Sequence, residues 1–344
     1  MEAKHLLVIR TSALGDVAMT VPVLKQLLQH YPELKLTVVT TPSFAPMFER
    51  LERTEIYALE KRGRHKGFTG IYKLFRELKA RHHFDAVADL HNVLRSIILR
   101  NLFRLSGVPV AKIDKGRKEK KELTAKENKK LVQLKTSFQR YADVFNELGY
   151  PFTLDKSQPA FTKQPLPSNA ADLFVPGKKH IGIAPFAKHG EKMYPVDKML
   201  AVIQQLHSDT NNQLFFFGGG KEEVNLLTEW ETRFPGVINL AGKFSFSEEL
   251  AIISNIDVMI SMDSANMHLA SLFNVPVISI WGATHPYAGF YGWGQKAENA
   301  VQIDLYCRPC SVFGNKPCYR GDHACMEQLP EGMVVDRLNG VLSR

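Results

Sequence analysis

Residues 5–17 read His5-Leu6-Leu7-Val8-Ile9-Arg10-Thr11-Ser12-Ala13-Leu14-Gly15-Asp16-Val17. A short β-rich apolar run gives way to a turn of small residues, and a helical stretch with Pro22 near its start follows. Parallel strands need a crossover between them and a helix supplies it, so this strand–turn–helix reads as the first unit of a parallel α/β sheet. The same alternation continues outward from it. Strands are expected at 5–10, 34–41, 56–59 and 86–90, then at 180–185, 213–218, 237–240, 258–261 and 275–281. Between the two sets, residues 155–179 carry Pro159, Pro165, Pro167, Pro176 and Gly177 without periodicity, which marks a linker. The expected fold is therefore α/β, with one Rossmann-like domain over residues 1–165 and a second over 166–344. In such folds ligands bind outside the carboxyl ends of the strands, here in a cleft between the domains.

The length of 344 residues agrees with two domains at roughly 100–200 residues each. With 44% hydrophobic and 23% charged residues, and no run near the ~20 apolar residues a membrane span needs, the chain reads as soluble and globular. The apolar run after Met1-Glu2-Ala3-Lys4 is too short for a signal segment, which points to the cytoplasm. The net charge of +9 is unevenly placed: residues 1–160 hold 29 Lys and Arg against 17 Asp and Glu, and residues 161–344 hold 15 against 18. Its densest part, residues 112–135, is either a solvated helix face or a surface for an anionic partner such as a membrane. No helix-turn-helix, zinc-finger or RNP pattern accompanies it, so nucleic acid is not expected as a partner.

Several turns carry chemistry. Gly15 can bring backbone amides near an anion, and Asp16 is either a helix cap or a base for an attacking hydroxyl. The turn lacks G-x-G-x-x-G, which argues against a nicotinamide-dependent oxidoreductase. In the second half, Asp263, Ser264 and Ala265 open a helix whose amides suit phosphate, or Asp263 and Ser264 merely cap it. Gly218 and Gly219 form another strand-end turn, with Glu222 and Glu223 spaced for ribose hydroxyls. Lys192 gains meaning only from its company.

That company is Leu14-Gly15-Asp16 followed by Pro22, the Lys192/Pro195 pair, Asp263-Ser264 with His268, and Gly282-Ala283-Thr284-His285-Pro286. In this order and spacing they resemble glycosyltransferase family nine, the ADP-heptose:lipopolysaccharide heptosyltransferases, over nearly the whole chain. The resemblance implies a GT-B fold with two parallel sheets facing a central cleft, and an inverting mechanism with no cofactor required for the chemistry. It implies Asp16 as general base and Lys192 beside the donor diphosphate. Donor contacts are implied for Gly15, Gly218, Gly219, Glu222, Glu223, Asp263, Ser264, Ala265, His268, Gly282 and Thr284. The implied acceptor is an anionic lipid-linked sugar at the inner membrane face, met by Lys61, Arg62, Arg64, His91, Asn92 and Arg95 in the basic half. Two positions depart from the family: Ala265 stands where glycine is usual, and Tyr194 where tryptophan is usual. A demand for positive φ at 265 would narrow the approach to phosphate.

All four cysteines fall in one segment, Cys307, Cys310, Cys318 and Cys325, with His323 nearby. The C-x-x-C start is compatible with a structural Zn²⁺ site; the irregular remainder suits reduced, partly buried thiols. The alternative functions left open are a GT-B enzyme with another nucleotide sugar, an NAD-dependent oxidoreductase and a non-enzymatic two-lobed binding protein.

Overall fold

The apolar runs form strands in a computed structural model that describes residues 4–343. Two units result, one of residues up to 115 with 135–158, the other of residues 116–134 with 159 onward.

The first unit runs β1 (His5–Ile9), α1 (Leu14–Ala18), α2 (Thr20–His30), β2 (Lys35–Thr40), β3 (Thr54–Ala58), α3 (Gly67–Arg81), β4 (Ala86–Asp89), α4 (Leu94–Leu105) and β5 (Val110–Lys112). The chain then crosses to the second unit as α5 (Arg117–Leu123) and returns to the first as α6 (Ser137–Glu147). The sheet is parallel throughout, in the order β3-β2-β1-β4-β5. Leu6, Leu7 and Val8 of the central β1 are fully buried. A parallel strand covered on both faces must be apolar along its length, which is why β1 shows no polar alternation. Helices α3 and α4 close one face through Ile71, Leu74, Leu78 and Leu99, with Phe103 edge-on to Phe75 and Phe84.

The second unit runs β6 (Lys179–Ala184), α7 (Val196–Ser208), β7 (Asn212–Phe216), α8 (Lys221–Arg233), β8 (Ile238–Asn239), α9 (Phe246–Ile253), β9 (Val258–Met262), α10 (Ala265–Leu272), β10 (Val277–Ile280), β11 (Ala300–Val301), α11 (Ala324–Glu327) and α12 (Glu331–Leu342). Its sheet is also parallel, in the order β11-β10-β9-β6-β7-β8. Strand order reverses between β1 and β4 in the first sheet and between β6 and β9 in the second. The crevice at each reversal, beyond the strands' carboxyl ends, is where such sheets bind ligands.

The structure departs from the sequence reading in three places. Strands β5 and β11 have three and two residues, too few to show a period. Residues 116–134, expected within the basic N-terminal domain, pack with the second unit instead. Leu123 and Leu134 are buried there, Leu134 N–H donates to the Tyr287 carbonyl at 2.9 Å, and the Lys129 ammonium donates to the Cys307 and Pro309 carbonyls at 2.7 and 2.8 Å. The division falls at 158/159 rather than 165/166, within the expected linker of 155–179, whose residues are fastened to the units on either side. Asp155 exchanges two hydrogen bonds with Gln26 on the first unit, while Phe161 N–H donates to Leu272 on the second.

At the end of β4, the fully buried Asp89 accepts from His91 N–H, Asn92 N–H and Arg100, the last at 2.8 Å. Removing one partner of a buried ion pair strands the other charge. Arg100→Met should therefore destabilise the protein by about 3–5 kcal/mol in urea denaturation followed by circular dichroism.

Candidate active site

In the first unit, Arg10 leaves β1 at the reversal point. Its side chain is 6% exposed; it pairs with the Asp16 carboxylate at 2.8 Å, donates to the Leu90 carbonyl at 2.7 Å and lies over the Tyr141 ring. Tyr141 in turn donates to the Asp16 carbonyl at 3.3 Å. Asp16 is not the helix cap, one of its two expected readings. It is the third residue of α1, and its carboxylate reaches back to the Ala13 N–H at 3.3 Å. The carboxylate remains 42% exposed, so it is held from behind and open in front.

The expected acceptor residues surround this turn unevenly. The Lys61 ammonium donates to the Thr11 carbonyl, and burial followed by the nearby Arg95 lowers its pKa. His91 is buried between the Thr11 and Ser12 hydroxyls, at 3.1 and 3.3 Å. Burial first, then Arg10, Lys115 and Lys61, push its pKa down to about 3. Asn92 is a turn residue: its φ is +48°, its N–H donates to Asp89 and its amide donates to the Ile113 carbonyl. Arg64 is held by Glu60 and Glu77, whereas Arg62 is exposed. Arg95 is the second residue of α4, with its Nε buried and unbonded. Lys61, His91 and Arg95 thus gather at the Asp16 end of the sheet.

In the second unit, the chain beyond β6 brings Lys192 to Asp263 at the end of β9, with Nζ and Oδ2 2.9 Å apart and side chains 15% and 3% exposed. Ser264 is the residue before α10, yet its hydroxyl meets Ser261 Oγ at 3.1 Å and caps nothing. The first amides of α10 are thereby left without a side-chain cap, beside a lysine, which is the arrangement that receives an anion. Ala265 has no positive φ, so its backbone conformation makes no demand for glycine. Tyr194 is buried and donates to the Leu329 carbonyl at 2.7 Å, while His268 is buried in α10.

The glycine turn after β7 separates its two acids. Glu223 accepts from Gly219 N–H at 2.8 Å, while Glu222 is exposed. A Cβ at Gly218 would press on Leu227, so that glycine serves packing. Gly282 is likewise required by Met326, and Thr284 is buried with its hydroxyl unbonded. Gly15 lies inside α1 and belongs to the first unit, whereas the other expected donor residues belong to the second.

Sequence reading missed the residues that brace this loop. Arg308 is buried and donates to the Gly282 carbonyl at 2.6 Å, the Thr284 carbonyl at 3.0 Å and the Ile303 carbonyl. Gly314, with φ +70°, packs where a Cβ would overlap the Lys192 stem. An isolated arginine and one glycine in an irregular segment carry no pattern, so no local signal could have found them.

The same segment holds the cysteines, Cys307 and Cys325 buried and Cys310 and Cys318 half-buried. Among the described residues no group of three or more His, Cys, Asp or Glu side chains is placed to hold a metal ion. Cys310 Sγ faces the Ala283 carbonyl and Cys307 Sγ faces Arg320. Burial raises the Cys310 pKa and pushes Cys325 up to about 11.

The chain is similar to known proteins in both sequence and fold. The model of glycosyltransferase family 9 (heptosyltransferase) matches residues 71–317. The lipooligosaccharide heptosyltransferase 2 of Campylobacter jejuni is 23% identical over 334 residues, 96% of this chain and 95% of its own. The solved family 9 glycosyltransferase of Veillonella parvula superposes with a TM-score of 0.79 at 19% identity, covering 99% of this chain and 98% of its own. The Escherichia coli heptosyltransferase WaaC with ADP gives 0.66 at 21% identity, covering 98% and 99%. These structural likenesses confirm the two Rossmann-like sheets of a GT-B fold.

The depressed pKa of His91 has a measurable sign. The unfolded chain takes up a proton near pH 6.5 that the folded chain refuses until about 3, so stability is complete above 6.5 and falls as pH drops between those values. Between pH 7 and 5 His91 should cost roughly 2 kcal/mol, and His91→Gln should remove that part of the acid sensitivity in urea denaturation at the two pH values.

Proposed function

The chain belongs to glycosyltransferase family 9, and we propose that it transfers heptose from ADP-heptose to a lipopolysaccharide core or similar lipid-linked glycan. The observation that carries the donor half is the Lys192–Asp263 pair beside the uncapped start of α10. Breaking a sugar–diphosphate bond leaves new negative charge on the departing phosphate. Lys192 and the α10 amides would receive it, with little reorganisation needed as the charge develops. Asp263, itself anionic, would repel a phosphate; its part is to fix Lys192 and to accept hydrogen bonds from sugar hydroxyls. Glu222, rather than the engaged Glu223, is free for the ribose. Relatives named as lipopolysaccharide and lipooligosaccharide heptosyltransferases, and a structural neighbour solved with ADP, support this donor.

In the first unit, Asp16 would take the proton of the acceptor hydroxyl. Attack on the sugar carbon forms one C–O bond as the bond to the diphosphate breaks, and the configuration inverts. Arg10 and the Ala13 amide hold the carboxylate while leaving it open to solvent. Lys61, Arg62 and Arg95 supply positive charge for an anionic acceptor. Contact with an anionic membrane face belongs to the same reading, since the acceptor is lipid-linked; among the described residues no helix is long and apolar enough to cross a membrane.

ADP should raise the melting temperature more than UDP, GDP or CDP at equal concentration, because a ligand confined to the native state stabilises it. A larger shift with another nucleotide overturns the ADP-heptose donor while leaving the fold untouched. Lys192→Gln should weaken that ADP shift.

Asp16→Asn keeps a side-chain oxygen for the Ala13 amide but loses the base. Single-turnover transfer at saturating donor and acceptor should fall by about 10²–10⁴-fold, with ADP affinity unchanged. A variant within a few-fold of the native enzyme removes Asp16 from the chemistry.

A further inference from the structure

Helix α3 buries Gly70, Ile71, Leu74, Phe75 and Leu78. The flank beside this stripe should then be polar, but next to Phe75 it presents Phe68 and Tyr72, 64% and 45% exposed, with the Tyr72 ring tilted against Phe75. These two are one turn apart and share a face. Around them Lys66, Lys73, Arg76 and Lys79 are exposed. The helix has one acidic residue, Glu77, and its carboxylate is taken by Tyr57, His65 and Arg64. The patch therefore has an aromatic centre and a positive rim that no carboxylate of its own helix offsets.

The position of this face matters as much as its composition. The loop from Leu59 to Lys66 leaves β3 at the carboxyl edge of the sheet and leads directly into α3. It carries Lys61, whose ammonium contacts the Thr11 carbonyl in the Asp16 turn. Phe68 and Tyr72 lie on the first two turns of α3, and so at the same end of the unit as Asp16.

We propose that the face of α3 formed by Phe68, Tyr72, Lys66, Lys73 and Arg76 docks the first unit onto an anionic bilayer. Aromatic rings settle at the boundary between headgroups and acyl chains, and lysine and arginine meet the lipid phosphates around them. Nucleic acid or an acidic protein would satisfy the charges and leave the exposed faces of Phe68 and Tyr72 in water. A membrane satisfies both. Docking by this face would bring the Asp16 end of the sheet toward a lipid-linked acceptor; that consequence rests on the heptosyltransferase reading, whereas the docking itself does not. It also moves membrane contact from the 112–135 run, most of which packs with the second unit, to α3.

The test is co-sedimentation of the full chain with phosphatidylcholine vesicles, with and without phosphatidylglycerol, at about 0.1 M salt, where charges are screened beyond ~10 Å. The native chain should bind the anionic vesicles and not the neutral ones. Lys73→Gln with Arg76→Gln should weaken partitioning roughly thirty-fold, from about fivefold per basic residue near such a surface. Phe68→Ser with Tyr72→Ser should weaken it about tenfold or more. Lys118→Gln with Lys121→Gln, in α5, should leave it within about twofold. Native-like binding by the aromatic double variant overturns the proposal in favour of general polyanion adsorption, and a larger loss from the α5 variant overturns it in favour of the other basic run. ADP binding, measured on each protein, keeps the two readings apart: vesicle binding without ADP binding sinks the donor assignment and leaves the docking surface standing.

Discussion

A negative charge on a side chain only 3% exposed must be met by a positive one, and Asp263 is met by Lys192 at 2.9 Å. This pairing constrains much of the second unit. Lys192 lies on the irregular chain after β6 and Asp263 at the end of β9, so the pair spans the reversal of strand order and fixes a mobile kind of side chain where a ligand would sit. The loops around it are ordered accordingly. Gly314 leaves room for the lysine stem, Glu191 is paired with His323, and Arg308 draws the Gly282–Thr284 turn inward by its carbonyls.

The first unit solves a related problem differently. Arg10 is almost wholly buried, yet its guanidinium has carbonyl, carboxylate and aromatic partners that together replace water. Because the Arg10 fork is fixed by Leu90 and Tyr141, the Asp16 carboxylate it holds is fixed as well, although Asp16 itself faces solvent. His91 adds no charge to this neighbourhood, since burial and the surrounding cations keep it neutral. The positive field near Asp16 therefore comes from side chains such as Lys61, Arg95 and Arg10 rather than from His91.

The basic segment shows how a charge count can mislead. Residues 116–134 contribute to the cationic excess of the first half, but buried Leu123 and Leu134 and the Lys129 clamp on the Cys307 and Pro309 carbonyls fasten them to the second unit. Lys120 and Lys126 also lie over the Phe290 and Tyr319 rings, so part of this charge is spent on aromatic faces rather than offered to a partner.

Alternating apolar runs and helical stretches were enough to determine two parallel α/β sheets, because strands buried on both faces must be continuously apolar and their crossovers must be helical. The ordered motifs around Asp16, Lys192, Asp263 and Gly282 were enough to identify the family. What local sequence left open was decided by contacts between distant residues. Tertiary structure placed Asp16 as the third residue of its helix with Arg10 behind it, separated Glu222 from Glu223, and turned the Ser264 hydroxyl toward Ser261 and away from its own helix. It also gave residues 116–134 to the second unit, set Arg308 on the carbonyls of the Gly282–Thr284 turn, and packed Gly314 against the Lys192 stem. Each of these depends on which side chains meet after the strands have paired, and a chain read in one dimension carries no record of that meeting.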